Sequence, residues 1–177
     1  ALCAYSLEYQ LIFRDLLEVE HDNAGNISKD ALKILLTRTP VDVIEQFYAD
    51  HGRKEEFQEQ YADLNISNIK WDEQHLNHSE LSELYIYPEF NQWVETCKFR
   101  CKKVTSNNWG KIQNSVDVIS YWEKNHTWTR PIIVIKCPQG VLRLVEGHTR
   151  LGTLRGLVEA GVVSETVKHT VWIGKCI

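Results

Sequence analysis

The chain has 177 residues, a formal net charge of −4, 43% hydrophobic and 25% charged residues, values ordinary for a water-soluble globular protein with one sizeable core or two smaller ones. No apolar run approaches the ~20 residues of a membrane span, and the opening ALCAYSLEYQ has neither the basic start nor the apolar stretch of a secretory signal. A cytoplasmic protein with no membrane partner is expected, its five cysteines held as reduced thiols. Charge divides the chain unevenly: residues 1–97 hold 7 Lys and Arg against 19 Asp and Glu, and residues 98–177 hold 13 against 5. That asymmetry predicts two domains, 1–97 acidic and 98–177 basic. The basic one suits an anionic ligand, and the two halves are also suited to dock on each other.

In chain order, helices are predicted over residues 5–20, 29–37, 41–49 and 54–64. Asp22 to Asn26 reads as a loop, Ser28 as the cap of the second helix, Thr39-Pro40 as the start of the third and His51-Gly52 as its end. Val41, Ile44 and Tyr48, with Phe47 beside them, form an expected core stripe. Residues 66–93 are less regular, with a strand at 69–71, a short helix at 77–84 and extended chain at 85–87 ahead of Pro88. His75 and His78 lie three apart but have no third ligand at a known zinc spacing, so no metal site is assigned. Cys97 and Cys101 are one residue too far apart for a redox or zinc-ribbon pair.

The basic half has a firmer pattern. A helix opens at Gly110-Lys111 with Ile112, Val116, Ile119 and Trp122 along one side. Arg130-Pro131 leads into a strand at 132–135, Pro138-Gln139-Gly140 turns the chain, and a second strand covers 141–145. Glu146-Gly147 then passes directly into an amphipathic helix ending near Gly161, and a last strand follows at 170–173. The whole reads as an α+β fold, helical first and mixed afterwards.

The junction Glu146-Gly147-His148-Thr149-Arg150 carries the chemistry. A helix N-terminus leaves backbone N–H groups without partners and is partly positive, so it attracts phosphate. Arg150 falls in line with Leu154 and Leu157, on the side expected to face the core. A guanidinium there needs an anionic partner, either Glu146 or a nucleotide phosphate, whose oxygens its planar fork fits. Of the nearby tryptophans Trp122 belongs to the core stripe, leaving Trp109 and Trp128 as candidates to stack on a base.

These words in this order resemble the ParB/sulfiredoxin superfamily over about residues 98–177. Its members place a lysine-bearing helix before a Pro-Ile-Xaa-Val strand and a Gly-His-Xaa-Arg or Gly-Cys-His-Arg turn before the next helix, with nucleotide phosphates between the two helix N-termini. The resemblance implies a mixed-sheet nucleotide-binding domain. It implies Lys111, Gly147, Thr149 and Arg150 as phosphate contacts and Glu146 and His148 as the residues that handle a proton or a magnesium ion. The implied ligand is a nucleoside di- or triphosphate, ATP or CTP, with Mg2+. Sulfiredoxins carry a cysteine directly after the turn glycine, where this chain has His148, so sulfinic acid reduction is not implied. ParB proteins continue into a DNA-reading helix-turn-helix, for which the 16 residues after Gly161 are too few. Free-serine kinases come near at the turn, with Asp-Gly-His-Thr-Arg words that Glu146 would match in charge.

Two classes of function follow. One is a phosphotransferase or nucleotide hydrolase that works by positioning and charge neutralisation. The other is a non-catalytic module whose contacts with a protein or nucleic-acid partner respond to nucleotide. The N-terminal helical unit would cover the pocket in the first case and serve as the partner arm in the second.

Overall fold

The computed structural model describes residues 10–176, which fall into two compact units. One is the chain up to Lys70 together with Cys176, and the other is Trp71–Lys175. The fold is α+β. Among the described residues no helix is long and apolar enough to cross a membrane.

In the first unit, Ser28 caps α1 (Lys29–Leu35) by accepting from the Ala31 amide at 3.2 Å. The chain then turns at Pro40 into α2 (Val41–Val43), which widens into a π-helical segment, Ile44–Ala49, and α3 (Glu55–Tyr61) follows. The helix expected over 5–20 is instead a short 3-10 segment, Phe13–Glu18, closed by the Asp15 carboxylate accepting from the Ile12 amide at 2.9 Å. Residues 5–9 of that expectation lie outside the described residues. The core is aromatic: Phe13 stacks on Phe47 at 5.2 Å and Tyr61 meets Phe47 edge-on at 5.4 Å. Gln46 to Ala49 are buried without a break, whereas Val41 is 51% exposed. The inward stripe therefore begins at Val43, because the chain enters this helix from Pro40 with Val41 turned outward.

The second unit comprises most of β1 (Ile69–Leu76), then α4 (His78–Ser82), α5 (Pro88–Cys101), α6 (Val116–Asn125), β2 (Ile132–Lys136), β3 (Leu142–Glu146), α7 (His148–Glu159) and all but the last residue of β4 (His169–Cys176). The strands form one mixed sheet in the order β1-β4-β2-β3. β2 runs antiparallel to β3 across the turn at Gly140 and parallel to β4. Ile132, Ile133 and Val134 are completely buried, so β2 is covered on both faces, which is why it reads as an unbroken apolar run. α7 is buried nearly all round. Leu151, Leu154 and Leu157 join the sheet-side core with Val134, Leu144 and Val171, while Gly152 and Gly156 turn towards α5.

Two expectations need correction. The boundary placed at residue 97 falls inside α5, and the chain divides instead between Lys70 and Trp71. Charge marks surfaces, not packing: Glu95 lies on the same helix as Lys98 and within 4.0 Å of it. The single helix expected over 110–122 is interrupted by Gln113, at φ +56°, which separates a 3-10 turn, Trp109–Ile112, from α6. Ser115 caps α6, Val116 is 78% exposed, and Ile112 and Trp122 both remain in the core.

Candidate functional site

β3 ends at Glu146, and Gly147 carries the chain into α7 with φ +108°. Two constraints fix a glycine there. The left-handed backbone strains any L side chain, and a Cβ would lie 2.4 Å from Ile132 Cγ2. A register shift between Ile133 and Val134 puts an irregularity in the β2–β3 ladder beside Glu146, the sort of bulge that re-aims a side chain at a strand end. Gly147, the N-cap residue of α7, brings no capping side chain of its own.

α5 completes the neighbourhood. A Cβ on Gly152 would meet the Val94 carbonyl oxygen at 2.5 Å and Cys97 Cβ at 2.7 Å, and a Cβ on Gly156 would meet the Lys98 carbonyl oxygen at 2.5 Å and Cys101 Cβ at 2.6 Å. Four residues along α7 thus correspond to four along α5 in the same sense. The helices are parallel and in backbone contact, and their N-termini open side by side. Accordingly Phe90 packs on the His148 ring at 4.8 Å, and the Trp93 indole N–H donates to Thr149 Oγ1 at 2.9 Å.

The charged groups at this end have defined roles. Arg150 donates through Nη1 to the carbonyls of Arg130 and Pro131 at 2.9 and 3.0 Å. Its Nη2 lies 3.8 Å from Glu146 Oε1 and 3.3 Å from the space a Gly147 side chain would fill, so the guanidinium folds back over the turn. Both side chains are largely withdrawn from solvent, at 19% and 25% exposure. The arginine therefore ties the first turn of α7 to the chain ahead of β2.

Of the residues singled out in the sequence, Glu146, Gly147, His148, Thr149 and Arg150 are brought together here. Lys111 is exposed on the 3-10 turn Trp109–Ile112, and among the described residues no hydrogen bond or ion pair joins it to the five. The second helix beside α7 is α5, not the one preceding β2. Trp109 and Trp128 are only 8% and 3% exposed and are core residues, not stacking surfaces. The aromatic residues that border the turn are Phe90 and Trp93, and the signal for them in the sequence is their spacing of three on a helix that starts at Pro88.

The turn suits a phosphate better than a metal, since its one carboxylate, Glu146, already faces Arg150. Among the described residues no group of three or more His, Cys, Asp or Glu is arranged to hold a metal. Burial pushes the Cys97 and Cys101 thiols up, against weaker opposing effects of Arg100 and of the Thr149 and Thr153 hydroxyls, so neither is a ready thiolate. Further along the two helices a cavity of about 590 Å3 is bordered by Lys98 and Arg155 but also by Glu159 and Glu165, which leaves no excess of either charge. No family model, curated protein or solved structure gives a significant match to the chain.

Proposed function

We propose that this chain binds a nucleoside di- or triphosphate where α5 and α7 begin, and that it is a nucleotide-responsive, non-catalytic module of ParB/sulfiredoxin-like architecture acting on a protein or nucleic-acid partner. The observation that carries the binding site is the side-by-side opening of two parallel helices of 14 and 12 residues. Each contributes roughly half a positive charge at its N-terminus, and the two fields add beside the turn, offset in part by Glu89 in the first turn of α5. The Glu146–Arg150 contact favours a module over a phosphotransferase. A carboxylate engaged with that guanidinium is poorly disposed to act as a general base. A phosphate arriving at the turn competes for Arg150 Nη2 and displaces Glu146, while Nη1 keeps its carbonyls; that displacement is the response a partner would read.

A thermal-shift series with ATP, ADP, CTP and GTP tests the binding. A nucleotide at 100 times its dissociation constant should stabilise the second unit by about 2.7 kcal/mol. No shift at millimolar concentration with any of them would sink the proposal. Glu146→Gln separates module from enzyme. In a module it costs about 1 kcal/mol of stability without ligand, because Arg150 loses its counter-charge, and it tightens nucleotide binding. Nucleotide-dependent phosphate release by the wild type that Glu146→Gln abolishes would instead establish the phosphotransfer reading.

A further inference from the structure

Trp93 is 46% exposed, whereas Trp109, Trp122 and Trp128 in the same unit are at most 8% exposed. Its position is nevertheless fixed. The Nε1–H bond to Thr149 Oγ1 at 2.9 Å anchors the edge of the indole to the first turn of α7, and the Arg100 guanidinium carbon lies 5.7 Å from the ring centroid. With its only polar atom already satisfied, the ring presents apolar surface to water beside two helix N-termini. An exposed indole contributes little to folding. A flat aromatic face beside a cation is what a nucleobase stacks on, and the stacking tolerates any base because each has a π face.

We infer that Trp93 is the platform on which the base of the bound nucleotide stacks. This rests on the phosphate site proposed above: Thr149 belongs to the turn that would hold the phosphates, so phosphate and base sites are joined through one hydrogen bond. Arg100 lies over one face of the indole, so the base stacks on the other. A purine covers more of the indole than a pyrimidine does and binds more tightly.

The test compares ATP with inorganic tripolyphosphate, which carries the phosphates but no base, by calorimetry on the whole chain. Wild type is expected to bind ATP at least about tenfold more tightly than tripolyphosphate. Trp93→Leu should lose about tenfold in ATP affinity, equivalent to about 1.4 kcal/mol, while tripolyphosphate affinity is unchanged. Trp93→Phe should retain most of the ATP affinity, since it keeps a ring and loses only the indole donor. Equal affinity of wild type for the two ligands overturns the platform but leaves the phosphate site standing. A Trp93→Leu variant that weakens both ligands alike, or a Trp93→Phe variant as weak as Trp93→Leu, assigns the residue to supporting Thr149 and also overturns it. If neither ligand binds, the phosphate site fails and the platform with it.

Discussion

Replacing Gly152 and Gly156 together with alanine is expected to lower the melting temperature of the second unit by about 10 °C. Two opposing effects decide the sign. Alanine is favoured over glycine in a helix interior by about 1 kcal/mol per site. Each new methyl, however, would sit 2.5 Å from a backbone carbonyl of α5, which cannot move aside as a flexible side chain can. Overpacking of that kind costs about 1–3 kcal/mol per site and occasionally more. Because both contacts are far inside normal separations, the upper end applies, leaving a net loss of about 2 kcal/mol at each position. At about 2–4 °C per kcal/mol for a chain of this size, the double variant loses roughly the stated amount. All six tryptophans lie between Trp71 and Trp172, so indole fluorescence reports on the second unit alone. Adding Cys101→Ala should give no rescue, because the Lys98 carbonyl remains in the way. A melting temperature within 2 °C of wild type would show that the helices are not in backbone contact.

Acid should weaken the same unit through His169. The ring is fully buried, its Nδ1 is 2.7 Å from Thr127 Oγ1, and Nε2 has no hydrogen-bond partner among the described residues. Burial, with a smaller contribution from nearby His78, lowers its pKa from 6.5 to about 4. Since the unfolded chain takes up the proton first, the contribution of the neutral ring is complete above pH 6.5. It is lost as the pH falls towards 4, to a total of about 3 kcal/mol. Urea unfolding followed by tryptophan fluorescence at pH 7.5, 6, 5 and 4.5 measures the slope. His169→Asn, which keeps a polar atom for Thr127, should be less stable at pH 7.5 but much less sensitive to acid. Parallel curves for the two proteins would assign the acid sensitivity to other groups.

How legible these features were in the sequence depends on the element. The strand, turn, strand and helix from Ile132 to Glu159 were all read correctly to within a residue or two, since uninterrupted β-branched runs bounded by Gly140 and Gly147 leave few alternatives. α5 went unrecognised. Its inward positions are Val94, Cys97 and Cys101, two of them small, while Trp93 and Phe99 point outward at 46% and 56% exposure. A helix that packs against glycines needs no bulky stripe, so it shows weak amphipathic periodicity. The missing bulk was encoded sixty residues away, in the Gly152-Xaa-Xaa-Xaa-Gly156 spacing. The candidate site was half visible for the same reason: the turn is local, but Phe90 and Trp93 reach it only through that helix pair. The break between the turn that carries Lys111 and α6 falls at one left-handed residue, Gln113, a residue type that does not announce such a conformation.

The strand order β1-β4-β2-β3 also sets a timetable for synthesis. β4, the last of these four strands to be made, occupies an interior place between β1 and β2. A nascent chain that has released everything up to α7 holds a β2–β3 hairpin with one edge open and a β1 with no neighbour on that side. Exposed edges of that sort are where chains pair wrongly. The sheet closes only when His169–Cys176 leaves the ribosome, about a hundred residues after the strand it must join, a separation that slows folding through the cost of closing a long loop. On a stalled ribosome with residue 165 just emerged, the unit should remain open to protease at Ile132–Lys136, and it should become resistant once β4 is out.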